Sequence, residues 1–299
     1  MRRNAFPLAI VALAVAVVSA PAKLMIAMKP PAQRAVSAEA VVVGKVTSIE
    51  KEPIEASPFI GAPNKVPYKV AVVQIEKTLF GAKNLTHIKV GFIPPPPPPP
   101  PGGPQPAVRP PIRRGNVLPE LKEGQEWVFF LTKHPDGSFF IMPNMSPPLD
   151  VKGEDTKKDL ESIQKVLKIV EDPMKALKAE KAEDRGFAAS VLASKYRSYP
   201  ETGGEVDQVP INAEESKLIL KALAEADWTK FDRAAPNGMQ SFYSLALTDK
   251  DGWVPPKPVP VKPGEPPVNF NLVVKDAFEK WLVGPGKDYV IKQIVPKKR

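Results

Sequence analysis

Ala40 to Ile49 reads AVVVGKVTSI. Its first half is apolar at successive positions and its second half alternates, the pattern of a strand buried on both faces where it starts and on one face where it ends. Working outward, Tyr68 to Ile75 (YKVAVVQI) alternates with small apolar interruptions, and His87 to Phe92 alternates again. Glu126 to Leu131 (EWVFFL) and Ser138 to Met142 (SFFIM) add β-branched and aromatic runs. Five such runs predict a small antiparallel β-barrel or sandwich. The last two are joined by Lys133, His134, Pro135, Asp136 and Gly137, a turn in which proline presets φ and glycine accepts a positive φ.

Proline supplies the punctuation, at 38 of 299 residues. An unbroken run from Pro94 to Pro101 continues through Gly102, Gly103, Pro104, Pro106, Pro110 and Pro111. Consecutive prolines fix φ and remove donors, so residues 94–114 are expected to leave the sheet as a polyproline II loop between the third and fourth strands. Removing that loop is expected to leave the fold intact. Pro255 to Pro267 marks a second proline-rich loop, over 254–268, and Pro143 to Pro148 marks the boundary of the β region.

After Glu154 the period changes to that of helices. Leu160, Ile163, Leu167 and Val170 line one face, with Lys157, Lys158, Glu161, Gln164, Lys165 and Lys168 filling the other. Pro173 behind Asp172 starts a second helix, and a third runs over Ala182 to Tyr199. Asn212 with Glu215 begins a helix through Ala226 with Ile219, Leu220 and Leu223 inward. Gly238 to Leu247 and Phe270 to Leu282 are further helices, and Tyr289 to Val295 reads as a closing strand. The expectation is therefore an α+β protein: a β-barrel domain over 36–148 carrying the 94–114 insert, then an irregular, mainly α-helical domain over 154–295.

The first residues bear on location. Arg2 and Arg3 precede an apolar run from Phe6 to Val18, followed by Ser19, Ala20 and Ala22. That order is expected of a secretory signal peptide over 1–22, cleaved after Ala20 or Ala22, and the run is too short to span a bilayer. The leader carries two cations and no acid, so its loss would lower the formal charge from +9 to about +7. Cations elsewhere are interleaved with acids, as in Lys175 to Arg185, and Lys297, Lys298 and Arg299 form the purely basic cluster. This distribution argues against nucleic-acid binding, and no stable membrane span is expected after cleavage.

Chemistry is hard to place in this chain. Without cysteine there is no disulfide framework, thiolate nucleophile, thiolate metal site or lipid-bearing cysteine. His87 and His134 are the whole histidine complement, fall in strand and turn contexts, and precede every helical serine. No HExxH spacing, Gly-x-Ser-x-Gly elbow or phosphate-binding glycine loop is present. Glu154, Asp155, Asp159 and Glu161 crowd a helix start, where they offset the helix dipole. No catalytic, metal or cofactor-binding residue is assigned. The proline stretches carry an explicit binding chemistry, since a preformed polyproline II segment docks into aromatic grooves at low entropic cost. In that reading the contacts fall to Pro94, Pro101, Arg109, Arg113 and Arg114; a stiff spacer is the preferred alternative.

The segments SAEAVVVGKVTSIE (Ser37 to Glu50), YKVAVVQIEKTLFGAKN (Tyr68 to Asn84) and LKEGQEWVFFL (Leu121 to Leu131) together resemble the OB-fold domains of bacterial exported proteins. These are similar to the netrin-like, tissue-inhibitor-of-metalloproteinase-like group, and the likeness covers residues 37–145. The resemblance implies the fold alone, because inhibitors of that group act through an N-terminal cysteine that this chain lacks. AEDRGFAASVLASKYR (Ala182 to Arg197) resembles a HEAT-like helical unit. The resulting expectation is a secreted or periplasmic, non-enzymatic binding or structural protein of the cell envelope, with an envelope or extracellular protein as partner and no cofactor. The alternative is a peptidase inhibitor or regulator working through the OB-like domain.

Overall fold

The structure is a computed structural model and describes residues 29–94, 118–135, 137–143, 146–229, 238–257 and 268–297. The expected signal peptide, most of the polyproline insert and most of the second proline-rich loop lie outside the described residues.

Strand β1 (Ala40–Ile49) pairs on one side with β3 (Val66–Phe80) and on the other with β5 (Glu126–Lys133). β3 continues antiparallel to β4 (His87–Phe92), which pairs parallel with β6 (Phe140–Ile141), and β6 returns antiparallel to β5. The pairings therefore close on themselves, in the order β1-β3-β4-β6-β5 and back to β1. Two short strands extend this sheet: β2 (Ile54–Ala56) on β3, and β7 (Leu149–Asp150) on β5.

The continuous apolar run at the start of β1 and through β5 has a direct cause: these stretches are buried on both faces. Ala40, Val42, Phe129 and Leu131 join Val73, Ile88, Val90 and Phe92 in one core. Val41, Val128 and Phe130 point the other way, into the helices. Gly81 (φ 77°) turns the chain out of β3, and a Cβ there would lie 1.9 Å from the Glu39 carbonyl oxygen, so no other residue fits without moving backbone.

Helix α1 (Pro31–Ser37) places Ala32, Ala35 and Val36 on that outer face of the sheet. Its Arg34 is 6 % exposed and donates from Nε to the Lys29 carbonyl (2.6 Å) and from Nη1 to that of Pro147 (2.7 Å). The guanidinium lies 5.7 Å from the centre of the Phe130 ring. A buried cation is tolerated there because carbonyls satisfy it.

α2 (Thr156–Glu171), α3 (Pro173–Leu177) and α4 (Ala182–Arg197) follow. Asp172 caps α3 by accepting from the Lys175 N–H at 3.2 Å, with Pro173 at the first helical position. α4 buries the continuous stretch Ala188 to Ala193, as a helix surrounded by protein must. α5 (Ala213–Glu225) and α6 (Gly238–Ser244) pack against it, and α7 (Phe270–Val283) packs on α5. A separate ribbon pairs β8 (Val206–Pro210) with β9 (Lys292–Pro296).

The architecture is mixed α+β, with a seven-stranded sheet and seven α-helices among the described residues. One hydrophobic cluster runs from α1 and the outer face of β1 and β5 through α2, α4, α5 and α7. The chain thus passes from strands to helices near 143–148, but the core does not break there. A second bridge joins the two halves: the Ile60 N–H donates to the Thr202 carbonyl (2.9 Å), and Lys29 is ion-paired with Glu201. No helix among the described residues is long and apolar enough to cross a membrane.

Candidate functional site

The groove between α5 and α7 is built by two capped helices and one tight turn. Asn212 accepts from the Glu215 N–H (3.1 Å) at the start of α5, and Glu214 and Glu215 place negative charge in its first turn. Ile219, Ala222 and Leu223 face the core, leaving Lys217, Lys221 and Glu225 outward. Asn269 caps α7 by accepting from the Asn271 N–H at 3.1 Å.

An aromatic cluster behind α7 fixes its position. Phe278 lies 4.9 Å from Phe242 and 5.8 Å from Trp281, centre to centre, and the Trp281 indole donates to the Asp251 carbonyl (2.9 Å). The Gly286 N–H returns to the Trp281 carbonyl at 2.8 Å, and a Cβ on Gly286 would come within 2.4 Å of the Trp281 ring. Glycine is therefore what lets the chain fold back over the indole. Tyr289 then packs edge-on to Trp281, and the Ile291 N–H donates to the buried Ser216 hydroxyl at 2.9 Å. That bond sets the chain after α7 beside the first turn of α5.

The groove has a volume of about 480 Å³, within the range of ~300–1,000 Å³ typical of small-molecule sites. Leu220, Ala224, Leu282, Val283 and Tyr289 give it an apolar lining; Lys217, Lys221, Lys275 and Lys287 line it with cations. Its two acids are engaged: Glu225 pairs with Arg185 (2.9 Å) and Lys221 (3.8 Å), and Glu279 with Lys275 (3.2 Å). Val283 is 84 % exposed, an apolar side chain left open to water. Burial, the Asp251 charge and an opposing effect of Arg197 together leave the Tyr289 phenol above its ordinary range, so it stays neutral at physiological pH.

Other polar features serve the framework. His134 is 1 % exposed, lies between Tyr68 (5.4 Å) and Phe139 (4.8 Å), and meets the Ser57 carbonyl through Nε2 at 2.8 Å. A carbonyl only accepts, so Nε2 carries the proton, and the ring pins the β2–β3 connection to the β5–β6 hairpin. His87 is exposed, with Nδ1 3.1 Å from the Thr86 hydroxyl. Tyr196 donates to Glu215 and links α4 to α5. A second cleft, of about 430 Å³ between α2 and α4, is crossed by the Lys165 ammonium over the Phe187 ring at 4.4 Å. Among the described residues no His, Asp and Glu side chains cluster as a metal site would require.

Of the residues singled out from the sequence, Pro94 is described and follows β4, half-buried. Pro101, Arg109, Arg113 and Arg114 lie outside the described residues. Sequence reading did not find the groove lysines, which sit among acids like any solvated helix face. The available signal was Leu282 and Val283, which run past the inner stripe of α7 just before Gly284-Pro285-Gly286.

No family model matches the chain, and no curated protein is similar to it.

Proposed function

We propose that this chain is an exported, non-enzymatic binding or structural protein of the bacterial cell envelope, and that the α5–α7 groove is its binding surface. The observation that carries the reading is the groove itself: an apolar, lysine-edged recess of ligand size, open to water. The described histidines and the buried Arg34, by contrast, are bonded within the framework or stand exposed on a strand.

Two further observations support the reading. The Arg2–Arg3, Phe6–Val18 and small-residue order at the N-terminus is that of an export signal. The cyclic order of five strands, with a parallel pair between β4 and β6, supports the reading of an OB-type barrel, a stiff base for neighbouring surfaces. The polyproline segment then serves as a spacer that holds this base away from its surroundings.

The test is cell fractionation of the host, combined with capture from its envelope fraction by the mature chain and by Ala224→Trp, which fills the groove. Recovery of the protein outside the cytoplasm, with a component retained by the parent and lost by the variant, is expected. A cytoplasmic protein, or equal capture by both forms, would contradict the reading. Capture of a peptidase with loss of its activity, unaffected by Ala224→Trp, would favour an inhibitor acting through the strands instead.

A further inference from the structure

We infer that the α5–α7 groove takes a single-chain anionic amphiphile, an aliphatic tail ending in a carboxylate. The inference rests on the groove being the binding surface and adds the chemical class of its ligand.

Charge and shape argue for it together. The floor and walls offered by Leu220, Ala224, Leu282 and Val283 are aliphatic, which suits a tail and gives a polar ligand nothing to bond. From Lys217 to Glu225 the α5 wall is about 12 Å long, at ~1.5 Å per residue. The Ile291-to-Ser216 hydrogen bond sets the chain that follows Tyr289 beside the Lys217 end of α5, and Lys217 and Lys287 both line the groove. Lys217 has no ion-pair partner among the described residues, and Lys287 has a 4.0 Å contact to Asp288, whose side chain is 87 % exposed. Lys275 is paired with Glu279 at 3.2 Å, whereas Lys221, at 3.8 Å, shares Glu225 with Arg185. The four lysines of the lining outnumber its two acids, so the groove keeps a net positive charge, and an anionic head held by Lys217 and Lys287 leaves its tail to the aliphatic wall. A cationic or neutral amphiphile of the same length would gain the tail contacts and lose the head contacts.

The probe is decanoate, titrated calorimetrically into the intact mature protein, with decyltrimethylammonium and decanol as matched controls. The parent is expected to bind decanoate at least about tenfold more tightly than either control, with affinity falling as salt rises. Ala224→Trp is expected to lose binding of all three. Lys217→Glu with Lys287→Glu, both changes on exposed side chains that leave the core untouched, is expected to weaken decanoate about tenfold and leave decanol unchanged. Equal affinity for the three probes, or decanoate binding indifferent to both variants, would overturn the inference. Absence of decanoate binding would overturn it too; if Ala224→Trp still abolished envelope capture, the groove would remain the binding surface with a ligand of another class. Loss of the capture difference together with intact decanoate binding would instead remove the broader reading and leave the ligand class standing.

Discussion

At the scale of single residues, hydroxyl groups at element junctions carry consequences out of proportion to their size. Ser216 is fully buried and accepts the Ile291 N–H, which has left helix α7 and not yet entered β9. Ser216→Ala leaves that donor unpaired, a loss of roughly 1–3 kcal/mol. It should appear as a lower urea midpoint with an unchanged slope. Tyr196 gives a pH-dependent counterpart. Burial first, then the hydrogen bond to Glu215 and its charge, hold the phenol protonated well above its ordinary value of 10.0. Once pH passes that ordinary value, the unfolded chain releases a proton that the native state keeps, so the stabilisation is complete below about pH 10 and is lost as pH rises. Tyr196→Phe should lower stability at neutral pH and make the alkaline decline shallower, read from urea midpoints between about pH 9 and about pH 11. Parallel curves for the two proteins would contradict this assignment. Gly286→Ala should cost ~1–3 kcal/mol by driving a methyl into the Trp281 ring, with a shifted indole emission as its signature.

The element scale shows what the amino-acid pattern reveals and where it stops. β1 over Ala40–Ile49 and β4 over His87–Phe92 have the bounds expected from their alternation, and the Asn212 and Asp172 caps start helices where expected. Long elements with one partner per face write themselves into the period. α1, β2, β7 and β8 were not legible: each is at most seven residues long, and pairing or packing with distant segments decides it. β3 is longer than its apolar core suggests, because Thr78 and Lys77 pair with Val42 and Val43 through a shifted register that no local pattern encodes. The groove was hidden for a similar reason, since Lys217 and Lys287 are far apart in sequence and ordinary in local context. The loop prediction also belongs at this scale. Lys69 pairs with Phe92 in the β3–β4 ladder while its ammonium lies 3.6 Å from Glu120, so the two ends of segment 95–117 stand close together. Replacing that segment by a short Gly/Ser linker should leave the circular dichroism spectrum and thermal midpoint close to the parent's. A large loss of stability would show that the segment packs on the sheet.

For the whole molecule, the decisive feature is a core that ignores the strand-to-helix boundary. Val41, Val128 and Phe130 of the sheet share one cluster with Ile163, Val191 and Phe278 of the helices, and α1 with Arg34 seals the joint. Composition and period alone allowed either a docked or a hinged pair of domains; two strands apolar on both faces were the sign that something covers the sheet. Heating should therefore give coincident loss of near- and far-ultraviolet circular dichroism, and two resolved transitions would mean that the halves fold separately. On this unified base stands the proposed binding surface, the groove between α5 and α7. Hydrogen exchange of the intact mature protein, alone and saturated with the soluble envelope fraction of its host, tests it most directly. New protection concentrated in 217–225 and 275–289 is predicted. Protection confined to the sheet and its connections, or none at all, would contradict binding in the groove.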